Sequence, residues 1–251
     1  MKELEELDVS WSMSKTVAVI IEGLKEVDGL LSSGRQLEAK QLLELVVKKV
    51  LEAEEYFWRP VDSDEVYSKL KEIYTRIGET QKSSDWEKRI NLRKAREIEF
   101  IARVQNFCGN NTLALEYYNQ AVSLAPDFQL AQDGKKKAEK SVTKARREID
   151  IAENSVKKSP TNPDAIIKLG VVNLNLNKVS EAIANFKKAL EYSHNDAEAT
   201  TRLGLAYLSA GKYLEAKECF EKVLAIKPSS LNAKRGRNYA NYFLGLEELT
   251  E

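Results

Sequence analysis

Hydrophobic residues recur at three- and four-residue spacing along most of this chain, with polar residues between them. That spacing places the apolar side chains on one face of an α-helix, so the pattern predicts helices rather than strands. Residues 85–104 contain neither glycine nor proline, and they are predicted to form one helix of about twenty residues. In the N-terminal region, residues 1–94, the spacing predicts three further amphipathic helices, at 15–31, 37–58 and 64–77.

The composition supports this all-α interpretation. Of the 251 residues, 43% are hydrophobic and 31% are charged, which is typical of a folded protein rather than a disordered one. With only 11 glycines and 5 prolines, helix-forming residues dominate. The 39 basic and 39 acidic side chains balance, so the net charge gives no reason to expect nucleic acid or an anionic membrane as the main partner.

Three features predict a cytosolic protein. The longest apolar run near the start, residues 17–21, is too short to cross a membrane. The opening "MKELEELD" is acidic, unlike the basic start of a secretory signal. Cys108 and Cys219 are too few for a disulfide framework, and we expect them to be reduced thiols.

An internal repeat is visible in the C-terminal half. Gly170 and Gly204 lie 34 residues apart, each inside an otherwise helical segment. Glycine in a helix interior costs roughly 1 kcal/mol relative to alanine, so each glycine needs a packing reason. Three more pairs recur with the same separation and without a gap: Leu169 with Leu203, Ala182 with Ala216, and Phe186 with Phe220.

This period of 34, with Leu-Gly, then Ala-x-x-x-Phe, then Pro, resembles the tetratricopeptide repeat. Pro126, Pro160 and Pro228 keep the same frame. The resemblance implies helix-turn-helix units that stack into a solenoid, an α-α superhelix. The units are predicted at 95–128, 129–162 (degenerate), 163–196 and 197–230, followed by a C-terminal capping helix at 231–251; a diverged repeat is also predicted near 20–53.

A close crossing of two antiparallel helices would explain the helical glycines, because only small side chains fit where the helices touch. The repeat then predicts that Gly204 faces Ala216 and that Gly170 faces Ala182. Unit 129–162 departs from this pattern, because charged residues occupy both of its crossing positions: Lys135 and Lys136 at the first, and Glu148 at the second. It is either a degenerate helical hairpin or part of a single long helix over 127–158.

By the same resemblance, the first helix of each unit lines a concave groove that holds a peptide or helix of another protein. The implied activity is non-enzymatic, that of an adaptor or assembly scaffold, with a homo-oligomer as a further possibility. The alternative is that the capping helix or a neighbouring helix fills the groove. The groove residues are Asp164, Ile167, Val171, Leu174, Asn175, Glu198, Thr201, Arg202, Leu205, Leu208 and Ser209, with Arg235, Tyr239, Tyr242 and Phe243 added by the capping helix.

No cofactor, metal or catalytic centre is expected. The sequence has no phosphate-binding loop, dinucleotide fingerprint or nucleophile elbow. The single histidine, His194, lies in a turn and has no companions for a zinc site. Some members of the family hold a C-terminal carboxylate through a lysine and an asparagine, but Ile167 and Val171 occupy those positions here.

A basic cluster provides the second hypothesis. Seven basic residues lie within thirteen positions, where they could bind the phosphates of nucleic acid or an acidic protein tail. No aromatic residue lies in the cluster to stack on a base, and an ordinary solvated helix surface is the alternative. The residues are Lys135, Lys136, Lys137, Lys140, Lys144, Arg146 and Arg147.

Overall fold

The computed structural model describes residues 13–57, 64–194 and 196–246. The chain divides into two compact units, residues 1–94 and 95–251. In the described ranges every regular element is an α-helix, and none of these helices has the length and apolarity needed to cross a membrane. The helices are α1 (Met13–Ser32), α2 (Gln36–Phe57), α3 (Asp64–Arg76), α4 (Thr80–Cys108), α5 (Asn111–Leu124), α6 (Gln129–Lys158), α7 (Pro163–Asn175), α8 (Val179–Tyr192), α9 (Ala197–Ser209), α10 (Tyr213–Ile226) and α11 (Leu231–Phe243).

The first unit has its own apolar core. Leu24 of α1, Leu43 of α2 and Leu70 of α3 are all buried in it. α1 and α2 are joined by a turn in which Gly34 has a φ of 78°, a conformation that favours glycine. The fragment near 20–53 therefore has a helix-turn-helix form, and its assignment as a diverged repeat stays a prediction.

In the second unit, α7 pairs with α8 and α9 pairs with α10, as the units 163–196 and 197–230 require. Asn162 and Asp196 cap the first helix of each pair, since each side chain accepts hydrogen bonds from two backbone N–H groups. The turn inside each pair needs a residue with positive φ. Asn177 supplies it in one pair (61°) and Gly211 in the other (74°).

The interval 129–162 differs, because α6 continues through it as one helix of 30 residues. The single-helix alternative is therefore the correct one, and the degenerate hairpin is not formed. Thr143 lies 34 residues before Asn177, where a hairpin would need a residue with positive φ. A β-branched residue strongly disfavours that conformation, so the helix continues.

The helical glycines make room for aromatic rings. A Cβ atom on Gly170 would lie 2.6 Å from Cε1 of Phe186, and one on Gly204 would lie 2.8 Å from Cε1 of Phe220. The predicted partners, Ala182 and Ala216, are fully buried, but the nearest side chains to the glycines are these rings, and for Gly204 also Cys219, so the facing of glycine and alanine stays a prediction. The ring sixteen residues further along the chain requires the glycine.

Candidate functional site

The apolar centre of the predicted groove is buried by the chain itself. Leu205 and Leu208 of α9 are 4% and 2% exposed. They share one apolar cluster with Val104 and Cys108 from the end of α4. At these two leucines, α4 packs against α9.

Aromatic side chains extend this contact between α4 and α11. The rings of Phe107 and Tyr239 have centroids 5.3 Å apart, and those of Phe100 and Tyr242 are 5.5 Å apart in an edge-on arrangement. The guanidinium of Arg235 lies over the ring of Phe107 at 5.1 Å. Aromatic pairs of this kind add about 0.5–1.5 kcal/mol beyond their burial, so this seam stabilises the second unit.

A buried polar network lies beside the aromatic seam. The hydroxyl of Ser209 donates to Oε1 of Gln105 at 2.7 Å and accepts from Nδ2 of Asn110 at 3.0 Å. The same Asn110 amide donates to Oδ1 of Asn177 at 2.8 Å. Asn110 is fully buried, so its unpaired amide would cost about 1–3 kcal/mol without these partners.

Asn175 is also engaged inside the chain. Its side-chain oxygen accepts a hydrogen bond from Nδ2 of Asn111, and its carbonyl oxygen accepts one from the hydroxyl of Thr112 at 2.8 Å. Sequence reasoning missed Gln105, Asn110 and Asn111, because amides next to a turn suggest ordinary helix caps. Asn110 does cap α5, accepting from the N–H of Leu113 at 3.3 Å, but its amide group faces across the unit.

The other predicted groove residues divide by exposure. Ile167 and Leu174 are buried in the core between α7, α8 and α9. Val171 and Tyr239 are half-buried. The exposed members are Asp164, Glu198, Arg235 and Tyr242.

A pocket of about 230 Å³ lies beside α9. Four predicted groove residues line it: Glu198, Thr201, Arg202 and Leu205. Arg202 places Nη2 3.5 Å from Oε1 of Glu198. The sequence did not indicate the other lining residues, most of which lie outside α9. They are Ala197 at the start of α9, Val223 of α10, Lys227 and Ser230 of the next turn, and Asn232 of α11.

The basic cluster lies on α6, away from this pocket's lining. Lys136, Lys137, Lys140, Lys144, Arg146 and Arg147 are exposed, and Lys135 is half-buried. A shallow depression of about 560 Å³ lies along one face of the helix. It is lined by Lys136, Glu139, Lys140, Thr143, Lys144, Arg147 and Glu148.

The two thiols are unsuited to nucleophilic chemistry. Burial raises the pKa of the Cys108 thiol far above its usual range and raises the pKa of Cys219 to about 11. His194 is exposed in its turn. In the part of the chain that the structure describes, no group of three or more His, Cys, Asp or Glu side chains could hold a metal ion.

Comparison with known families agrees with the helix pairs. Family models described as tetratricopeptide repeat match residues 197–230 and 100–128, and one described as TPR repeat matches 174–211. The chain belongs to the tetratricopeptide repeat family. Repeats of this family are generally protein interaction modules.

Solved structures include further proteins similar to this tetratricopeptide repeat protein. MamA is 25% identical, with 55% of this chain and 81% of MamA covered at a TM-score of 0.40. YrrB, described as a TPR protein with an unusual peptide-binding site, is 20% identical, with 63% and 78% covered at 0.39. A tetratricopeptide repeat protein from Parabacteroides merdae is 15% identical, with 90% and 74% covered at 0.39. No curated protein matches the chain.

Proposed function

We propose that this protein is a non-enzymatic adaptor or assembly scaffold that binds a segment of a partner protein at the open end of its concave surface. The observation that carries the proposal is the pocket between α9 and α11. Its lining combines the predicted groove residues Glu198, Thr201 and Arg202 with side chains of the following turn.

The lining suits one side chain of a partner peptide or helix. Leu205 and Val223 are almost fully buried and provide apolar surface at the pocket. Arg202 and Lys227 add two positive charges, and Glu198 adds one negative charge. Six of the nine lining residues are polar or charged, so the pocket suits a polar or charged group of the partner better than a purely apolar one.

The contact surface extends along α11 from this pocket. Arg235 lies about one turn after Asn232 and is exposed. Tyr242 is 41% exposed near the end of the same helix. Tyrosine and arginine are enriched in protein interfaces, so these side chains extend the proposed contact surface.

The proposal also covers the oligomeric state and the cellular location. In a homo-oligomer, the same surface would contact a second copy of the chain, and light scattering of the purified protein tests this directly. Residence in the cytosol remains part of the proposal, and the two buried free thiols, Cys108 and Cys219, are compatible with a reducing compartment.

The test is affinity capture from a native cell extract with three forms of the protein. Thr201→Trp fills the pocket, whereas Lys222→Trp adds the same ring on the exposed surface of α10 and serves as the control. Both variants are first compared with the wild type by circular dichroism. Proteins retained by the wild type and the control at low and high salt, but lost from Thr201→Trp, support the proposal. Equal retention by all three forms, or no retention by any, contradicts it.

A further inference from the structure

The long helix α6 carries a basic stripe on the side opposite its buried face. At 100° per residue, Lys136, Lys140, Lys144 and Arg147 fall on one face. Ala138, Val142 and Ala145, which are buried, fall on the other. The stripe exists because α6 is a single helix; a hairpin turn near Thr143 would have divided it.

Basic charges are in excess along this stripe, because four basic residues and two acidic ones, Glu139 and Glu148, line the depression. Residues 135–147 contain seven basic side chains and one acidic side chain, Glu139. Among the described residues, Lys144 is the one member of the cluster in an ion pair, with its Nζ 3.7 Å from Oε1 of Glu148. The Lys144 side chain is 74% exposed, so this pair contributes little and leaves the charge accessible.

The spacing of the stripe suits a chain of phosphates. From residue 136 to residue 147 the helix rises about 16 Å, which is the axial length of roughly five phosphates on one strand of a duplex. The depression along the stripe is shallow and is lined by no apolar residue. Ile151, which is 69% exposed, lies one turn beyond it.

We propose that this face of α6 binds the phosphate backbone of nucleic acid, independently of the protein-binding pocket. Lysine is depleted in protein interfaces, whose centres are apolar, whereas protein–nucleic acid interfaces are polar and strongly positive. The face therefore fits a nucleic acid better than an acidic protein. Because no aromatic side chain lines the depression, base stacking plays no part, and the binding is independent of base sequence.

The test measures the affinity of the full chain for a fluorescent duplex DNA of mixed sequence by anisotropy as salt is varied. Neutralising three to four phosphates gives a slope of about −2.7 to −3.6 for log K against log salt. The stripe variant, with Lys136, Lys140, Lys144 and Arg147 all changed to Gln, should bind at least about tenfold more weakly at low salt with a slope near zero.

A matched control variant removes the same number of charges elsewhere, by changing the exposed residues Lys168, Lys178, Lys222 and Lys234 to Gln. Polyglutamate serves as a competitor, because an acidic protein surface would be displaced by it. A control that binds nearly as the wild type supports the proposal. Absence of duplex binding by the wild type, an equal loss in the control, or displacement of the duplex by polyglutamate at equal charge concentration would each overturn it.

Discussion

Within the second unit, residues 163–230 and residues 129–162 share the 34-residue period but form different structures. The first region forms two hairpins, with Asn177 and Gly211 at positive φ in their turns. The second has Thr143 at the equivalent position and forms one continuous helix. The residue type at the turn, together with charges at the helix crossing, determines whether a 34-residue unit forms a hairpin or one continuous helix.

A contact between a glycine and a ring nevertheless joins α6 to the helix before it. Gly134 of α6 leaves space for the ring of Tyr118 in α5, as Gly236 of α11 does for Phe220 in α10. The first part of α6 therefore packs on the preceding helix as α11 does. Only its second part departs from the repeat, and the basic stripe spans the junction of the two parts near Thr143.

The largest predicted effect concerns the core of the regular region. Leu205→Glu with Leu208→Glu places two carboxylates among buried side chains, and each should cost several kcal/mol. We expect loss of helicity and of the thermal transition. Leu130→Glu, at a residue of α6 that is 65% exposed, is the control and should change little. Near-wild-type helicity in the double variant would mean that the groove is open there.

A smaller effect is expected from filling the glycine positions. Gly170→Ala and Gly134→Ala each force a methyl group against a ring and should lower the free energy of unfolding by about 1–3 kcal/mol. Gly29→Ala is the matched control, because its methyl group would meet no atom within 4 Å. It should stabilise its helix by up to about 1 kcal/mol. Destabilisation of equal size in all three variants, measured by urea unfolding, would contradict the ring contact.

Exchanging the turn residues tests why one region forms hairpins and the other forms a continuous helix. Gly211→Thr puts a β-branched residue at a φ of 74° and should cost about 1–2 kcal/mol. The reverse change in α6, Thr143→Gly, should cost less than about 1 kcal/mol, since it affects only helix propensity. Denaturant midpoints measure both changes. Equal losses of stability in the two variants, or a larger loss for Thr143→Gly, would show that the turn residue does not cause the structural difference.

The smallest effect is a dependence on pH in α4. Glu99 is 6% exposed, and burial raises the pKa of its carboxyl group, partly offset by Arg103 at 3.4 Å. As pH rises above the ordinary value of 4.5, the unfolded chain loses this proton first. Stability should therefore fall with rising pH until the folded pKa is passed, and Glu99→Gln should abolish that fall.

Unfolding free energies of the wild type and Glu99→Gln between about pH 4 and pH 7 measure this difference. Glu116→Gln, at an exposed position of α5, is the control and should follow the wild type. Parallel curves for the wild type and Glu99→Gln would contradict the assignment.

The sequence was sufficient for the helices and the repeat frame, because periodicity, glycine and proline act over short distances. It also marked 129–162 as irregular through Lys135, Lys136 and Glu148, but left hairpin and rod as alternatives. The covering of Leu205 and Leu208 by α4 was only an alternative as well. Residues 100 or more positions apart meet there, and the apolar side chains that make these contacts, such as Phe107 and Tyr239, resemble any apolar helix face in sequence.

The central claim is that α4 packs against α9 and α11 and so covers the centre of the predicted groove. A double-mutant cycle on Phe107→Ala and Tyr239→Ala, with unfolding free energies as the readout, tests it most directly. Rings 5.3 Å apart should give a coupling energy of about 0.5–1.5 kcal/mol. Additive losses, with a coupling below about 0.3 kcal/mol, would show that the two helices do not meet and that the groove is open.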